Sequence, residues 1–259
     1  MKRRTFRKPE ASIIVLCHKD LSYLLPCLES VRRNTRVPYE LVLVDNASPD
    51  GAYEAFIRLR RTFPSPVRVV HNRENRFFAG GNNQGLALAR GRHLMLLNAD
   101  TLVAPGWLEG LIACVDKDPR LGIVGPYTNQ AAGLQVRWPE PYKTPAQFTR
   151  WAGRKASSLQ GRVRYVPWII GFCVLIPRPV LEKVGVLDEY YGPGGFEDYD
   201  YCLRVRQAGL RIGIAEEVHV HHFGGRGYVD MSYDVLRRRN RELFWSKWGR
   251  LCRERLDVL

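Results

Sequence analysis

The chain has 259 residues, 45% of them hydrophobic and 25% charged, and a formal net charge of +14. That length buries one large core or two small ones, and the composition excludes a disordered or fibrous chain. The charge asks for an anionic partner, with nucleic acid, anionic lipid and phosphorylated small molecules all open. Basic residues gather at both ends: five of the first eight are Lys or Arg, and "LRRRNRE" follows near the C-terminus. Solvated ends that aid solubility are the plainer explanation. Six cysteines (Cys17, Cys27, Cys114, Cys173, Cys202, Cys252) lie far apart without a C-x-x-C. This disfavours a zinc site or disulfide framework and fits a reducing cytosol. The apolar run "IIVLC" is too short for a signal peptide, and "VPWIIGFCVLIP", the longest apolar stretch, falls short of the roughly 18 residues a membrane span needs.

In chain order, "SIIVLC" predicts a strand. "LSYLLPCLESVRR" predicts a helix with Leu21, Leu24, Leu25, Leu28 and Val31 on one face. "YELVLVD" is a second strand, and "GAYEAFIRLRRTF" a helix with Ala52, Ala55, Phe56 and Leu59 inward. "VRVVHN", a helix over "GNNQGLALARG" closed by Gly91, and the strand "HLMLLN" complete a strand–helix alternation. Such alternation predicts an α/β fold, a mainly parallel sheet with helices on both faces, whose ligands bind beyond the carboxyl ends of the strands. Residues 126–162 read as long loops with one short helix, and "VPWIIGFCVLIP" as a strand bent at Gly171. "GPGGFEDYDYCLRVRQAG" reads as a Gly-rich loop and a helix ending at Gly209, followed by strands to His222. From about residue 228, Leu236, Leu243, Phe244, Trp248 and Leu251 mark an amphipathic basic tail helix. Such a helix suits an anionic membrane surface, or packs its stripe on the domain or a second subunit.

Several residues could carry chemistry. Asp45 ends the second strand, where an acid can accept hydrogen bonds from a base or ribose; alternatively Asp45 or Ser48 caps the next helix. "FFAGGNNQG" puts glycines ahead of a helix, where backbone N–H groups can meet phosphate. Neither a P-loop nor a G-x-G-x-x-G is present. Asp100 in "LNADT" offers a hard oxygen ligand, and Asn98 a weaker one; a cation on a diphosphate needs only one or two protein carboxylates. Otherwise Asp100 opens a turn. Glu197 and Asp198 fall in a first helical turn, where the dipole lowers a carboxylate's pKa and argues capping, and Asp200 can pair with Arg204. Three histidines follow, His219 and His221 on one strand face and His222 on the other, as metal or phosphate ligands or as structural groups.

Taken in order, "SIIVLCHKDLSYLLPCLESV", "LVLVDNASPDG", "NRFFAGGNNQGLALARG", "LMLLNADT", "GVLDEYYGPGGFEDYDYCLRVRQAGLRI" and "VHHFGG" resemble glycosyltransferase family 2 of the GT-A type, near its rhamnosyltransferase-like branch. The resemblance spans about residues 11–225. It implies a GT-A fold, Rossmann-like with a mainly parallel central sheet flanked by helices, and a basic helical tail. The expected organisation is a basic extension (1–10), a catalytic domain (11–225, its nucleotide-sugar half ending near 125 and its acceptor half following), and the tail (226–259). Asp45 resembles the acid that binds the nucleobase, with Asn46 and Ser48 nearby, and Asn83 lies in the segment flanking the diphosphate. Asp100 matches the last acid of a D-x-D that holds Mg2+ or Mn2+, with Asn98 in place of its first acid. Asp198 matches the general base, and His222 or His221 a further metal ligand. Trp168, Gly171, Gly195 and Glu197 fall on the acceptor side or its loop. Where the family's first strand ends in Thr-Tyr-Asn, this chain has Cys17, His18 and Lys19.

The implied activity is inverting transfer of a sugar, rhamnose being one candidate, from a nucleoside-diphosphate sugar to a glycan or lipid-linked acceptor in cell-envelope polysaccharide synthesis. The expected location is cytoplasmic, at the inner face of a membrane, with a tail-mediated homodimer as a further option. A sugar nucleotidyltransferase and a non-catalytic polyanion- or carbohydrate-binding module are the rival classes. Nucleic-acid binding is disfavoured, because no recognition motif accompanies the basic residues.

Overall fold

The computed structural model describes residues 8–19, 21–137, 141–156, 161–224 and 233–254. The basic residues 1–7 and, of the expected tail, residues 226–232 and 255–259 lie outside the described residues. Strands β1 (Ala11–Cys17), β2 (Tyr39–Asn46), β3 (Val67–Asn72) and β4 (His93–Asn98) are parallel, joined by α1 (Leu21–Asn34), α2 (Ala52–Thr62) and α3 (Phe77–Leu88). Every residue of β2 is buried and β1 nearly so, as expected for continuous Val/Ile/Leu runs covered by helices on both faces. The sheet continues through β5 (Thr101–Val103), β6 (Leu121–Tyr127), β7 (Val163–Tyr165), β8 (Cys173–Pro177) and β9 (Arg211–His222). Its order is β3-β2-β1-β4-β8-β6-β9-β5, with β7 paired to β9. β8 runs antiparallel between β4 and β6, so the sheet is mixed in its second half.

Remaining helices are α4 (Trp107–Lys117), α5 (Pro145–Ala156), α6 (Arg178–Val184), α7 (Glu197–Gln207) and α8 (Tyr233–Glu254). Sequence periodicity did not single out β5, α4 or β6. "VPWIIGFCVLIP" is strand only from Cys173, because the Pro167 and Gly171 segment leaves the ladder. On α1, Leu25 turns out to solvent at 46% exposure while Cys27 joins the buried face.

The glycines before Asn82 are not a turn. They lie inside α3, which starts at Phe77, and they serve close packing. A Cβ on Gly81 would sit 2.4 Å from Leu16 Cδ1, and one on Gly85 2.3 Å from Ile14 Cγ2. Lacking both, α3 lies directly on β1.

The tail helix α8 lays its stripe on its own domain. Phe244 and Trp248 pack with Tyr191 and Leu203, and Leu243, Phe196 and Tyr199 border them. Of the alternatives offered for the stripe, its described part packs on the domain; the Leu251 side chain lies outside the described residues. The five cysteines whose side chains are described are free and buried. Among the described residues, no helix is long and apolar enough to cross a membrane.

Candidate active site

The carboxyl ends of β1, β2 and β4 lie side by side, with Cys17 opposite Asp45 and Leu16 opposite Asn98. At the usual strand spacing, Asp45 and Asn98 are about 10 Å apart, the reach of a nucleoside diphosphate. Among the described residues, non-glycine residues with positive φ are Lys19 (62°), Ala47 (59°), Phe77 (58°) and Phe196 (77°). The first three follow β1, β2 and β3, and the fourth precedes α7. Backbone strain is thus confined to the loops that rim this edge.

Asp100 leaves β4 just before β5, which pairs antiparallel with β9 in a register that sets Thr101 against His222. Phe223 N donates to the Asp100 carbonyl at 2.9 Å, and His222 Nε2 lies 3.2 Å from Asp100 Oδ1. The other ring nitrogen of His222, Nδ1, is 2.8 Å from the Gln130 carbonyl. A carbonyl only accepts, so Nδ1 carries a hydrogen and Nε2 is the nitrogen turned toward Asp100. A carbonyl behind the ring in this way orients a histidine whose other nitrogen can bind metal. Asn129 holds the His222 backbone from both sides, and Phe172 stacks on the ring with centroids 4.9 Å apart. His221 points elsewhere: its Nδ1 is 3.0 Å from the Tyr142 hydroxyl, in a cluster with Phe148 and Phe223. Of the two histidines offered as metal ligands, only His222 meets Asp100, because neighbours on a strand face opposite ways. His219 is buried between Tyr127 and Trp151, and burial, with Arg137 and Lys155 nearby, lowers its pKa to about 4.

Asp100 and His222 together fit a divalent cation through one hard oxygen and one imidazole nitrogen. Among the described residues, no cluster of three or more His, Cys, Asp or Glu could hold a metal alone. The donor set is therefore suited to a cation that takes its other ligands from a diphosphate and water.

Asp198 lies at the start of α7, with Oδ2 accepting from Gly171 N at 3.2 Å and Oδ1 from Tyr199 N at 2.9 Å. It borders an apolar pocket lined by Phe78, Leu96, Ile169 and Tyr201. Burial pushes its carboxyl above the ordinary carboxylate range, and the two N–H groups only partly offset this. Glu197 is also raised, by burial first and then by the charge of Asp198. The helix dipole was expected to lower both; desolvation outweighs it here. Asp200 pairs with Arg204 as expected, at 2.8 Å, and also takes Trp248 Nε1 and Lys247 Nζ from α8.

Two consecutive residues tie these parts together. Gly171 N holds Asp198, while Phe172 accepts Asn98 N at 2.8 Å and stacks on His222. The sequence marks Gly171 as a bend on the acceptor side, but nothing in it announces that Phe172 links this bend to His222.

Other expected site residues are anchored in the scaffold. Asn46 donates to Asn75 and Phe77 O and accepts from Asn72 and Arg76 N, fastening the loop before α3. Ser48 donates its hydroxyl to Cys17 O and its N–H to Asp45. Asn83 is in mid-helix, and its amide joins α3 to Leu187 and Glu189, so its side chain is taken up away from the strand ends. The Asn98 carboxamide makes no hydrogen bond to another described side chain. Trp168 lies 4.9 Å from Tyr199, ring to ring. Its indole fits because Gly133 has no Cβ, which would come within 1.8 Å. Gly195 has φ +89° and open space around it.

The fold is that of nucleotide-sugar transferases. It superposes on GalNAc-T7, solved with UDP, GalNAc and Mn2+, with TM-score 0.70, 19% identity, and coverage of 93% of this chain and 49% of that one. The mannosyltransferase PcManGT of Pyrobaculum calidifontis, solved with GDP-Man and Mn2+, matches with TM-score 0.66, 21% identity, and coverage of 94% and 65%. The family model "Glycosyl transferase family 2" matches residues 12–185, two thirds of the chain. The chain belongs to that family. The O-antigen biosynthesis protein RfbC of Myxococcus xanthus is 29% identical over 83% of this chain and 17% of its own length. The chain spans a quarter or less of the length of the bacterial relatives it matches over most of its own.

Proposed function

We propose that the chain moves a sugar from a nucleoside-diphosphate sugar to a hydroxyl of a glycan or lipid-linked acceptor, with inversion at the anomeric carbon. The observation that carries this is the Gly171–Phe172 link, which sets a raised-pKa carboxylate beside a metal-type Asp100–His222 pair. Asp198 takes the acceptor proton as the acceptor oxygen bonds to the anomeric carbon and the diphosphate oxygen leaves with its electron pair. A Mg2+ or Mn2+ held by Asp100 and His222 would supply charge neutralisation at the leaving diphosphate. On this proposal, the base lies at the Asp45 end of the edge, with Asn46, Ser48 and Asn83 shaping loops rather than touching the donor. Asn98 is free to meet ribose or phosphate. Trp168, with Gly171, Gly195 and Glu197, frames the acceptor. The GDP-Man and UDP in the solved neighbours, and RfbC's part in O-antigen biosynthesis, support an envelope-polysaccharide role, with rhamnose among the candidate sugars.

Outward on α8, Val235 (63% exposed) and Trp245 (42%) stand among the exposed Arg237, Arg238 and Arg241. That face suits peripheral contact with an anionic membrane at its cytoplasmic side.

Thermal shift with UDP, GDP and dTDP, each with and without Mn2+, tests the donor site. Stabilisation should appear with at least one nucleotide, and Asp100→Asn or His222→Ala should remove its Mn2+-dependent part. Wild-type protein indifferent to every nucleoside diphosphate would sink the proposal.

A further inference from the structure

We propose that His71, rather than Asp45, makes the base-reading hydrogen bond to the donor, and that it selects nucleobases carrying a ring N–H on their pairing edge. This rests on the donor-site proposal and goes beyond it, because the family's acid at this position is the residue expected to touch the base.

Asp45 is fully buried, and both its oxygens are engaged. Ser48 N donates to Oδ1 at 3.0 Å, and His71 Nδ1 lies 2.6 Å from Oδ2. His71 sits directly opposite Asp45 in the β2–β3 register, on the same side of the sheet. An ionised carboxylate has no hydrogen to give, so the ring hydrogen is on Nδ1. In the neutral imidazole, Nε2 is then a bare acceptor.

The acceptor character of the buried carboxylate is thereby carried outward by the width of one ring. His71 is 45% exposed at the side chain, so this outer edge is available. Tyr53 stacks on the imidazole with centroids 4.1 Å apart and planes 29° apart, which fixes the ring's orientation. Carboxylate, imidazole and phenol ring form a built edge at the carboxyl end of β2 and β3, where the strained loop at Ala47 begins.

Uracil and thymine present N3–H, and guanine presents N1–H, to such an acceptor. Cytosine and adenine present a lone pair at the corresponding ring nitrogen, so acceptor would face acceptor. His71 is therefore assigned as a specificity-determining residue for UDP-, dTDP- or GDP-linked donors over CDP- or ADP-linked ones.

Isothermal titration of UDP, dTDP, GDP, CDP and ADP with Mn2+ tests this on the wild type, His71→Ala and His71→Gln, each checked for folding by its melting temperature. The preferred N–H-bearing nucleotide should lose about tenfold in affinity in His71→Ala, the ordinary worth of one well-made hydrogen bond, while CDP changes little. His71→Gln, whose amide can donate to Asp45 and present its oxygen outward, should recover part of the loss. Unchanged or tighter binding in His71→Ala would overturn the assignment and make the imidazole a cover over Asp45. Absence of any nucleotide binding to the wild type would instead overturn the donor site itself.

Discussion

Asn240 offers a direct test of what holds the loop at 192–195 in shape. It is fully buried on α8, and its amide nitrogen donates to the carbonyls of Tyr191 (2.7 Å), Gly194 (2.9 Å) and Gly195 (3.0 Å). An amide has two hydrogens, so three acceptors share them. The loop so held has positive φ at Gly192, Gly194 and Gly195, and it delivers Phe196 at φ 77° immediately before Glu197 and Asp198. Local propensity would not hold that path, and the amide does. Asn240→Ala leaves three carbonyls without a donor. Gly194 is buried, whereas Gly195 is partly exposed and can turn to water. At about 1–3 kcal/mol for each of the two buried carbonyls left without a donor, a loss of about 2–6 kcal/mol follows. If the loss is global, a domain of this size melts about 4–24 °C lower. If it is local, the loop opens first and proteolysis near 192–195 accelerates. Asn240→Asp turns an acceptor toward three acceptors and should be worse than Asn240→Ala. Thermal melts paired with limited proteolysis decide the matter. Wild-type melting and wild-type cleavage in both variants would refute the idea that α8 orders this loop.

Asp198→Asn should retain nucleotide binding while transfer falls by about 10²–10⁴-fold, the usual weight of a general base. Activity needs the ionised carboxylate, so the acid limb of kcat/KM should lie above the ordinary carboxylate range, where burial has moved this group. The same raised pKa means that the folded state holds the proton more tightly than the unfolded one. Its contribution to stability is thus fully present at low pH and fades as pH rises through the raised pKa. An acid limb at the usual aspartate position would contradict the buried setting. For the exposed arginines of α8, co-sedimentation with anionic and with neutral vesicles is the measurement. Wild-type protein should pellet with the anionic ones, and a Trp245→Ser, Arg238→Gln, Arg241→Gln triple variant should pellet less. Each arginine is worth about 1 kcal/mol near such a surface. Protein that stays in the supernatant throughout would remove the membrane proposal. Point substitutions are the right tool, because deleting a helix that carries the buried Asn240 would also damage the loop at 192–195.

The first half of the fold was legible because its signals are local. Continuous apolar runs in β1, β2 and β4 predict strands covered on both sides, and Asp45 and Asn98 mark where they end. The glycines of α3 misled for a physical reason: the same residue that opens a backbone to phosphate also lets a helix touch a sheet. Only the nearness of Leu16 and Ile14 distinguishes the two uses. On α8 a usable signal was present and unread. Asn240 sits in line with Leu236, Phe244 and Trp248 at i,i+4 spacing, and one amide on an apolar stripe asks what it bonds. His71, by contrast, gave no signal, since its meaning depends on the register of β2 against β3.

The Asp100–His222 pair shows most clearly what sequence order cannot carry. Asp100 and His222 are 122 positions apart, and they meet only because a three-residue strand, β5, pairs with the end of β9. Shifting that pairing by one residue would bring His221 into the place of His222, since neighbouring residues on a strand face opposite sides. Family resemblance left the two histidines open; the register puts His222 and not His221 against Asp100, and the Gln130 carbonyl takes its Nδ1. Two protein ligands are too few to retain a hard cation against water, so metal and donor should bind each other's complex far better than either binds alone. Calorimetry should therefore find weak Mn2+ uptake by the protein by itself and strong uptake once a nucleoside diphosphate is present. Tight Mn2+ binding without nucleotide would require ligands beyond Asp100 and His222. It would move the cation away from the strand end where Asn98 stands beside them.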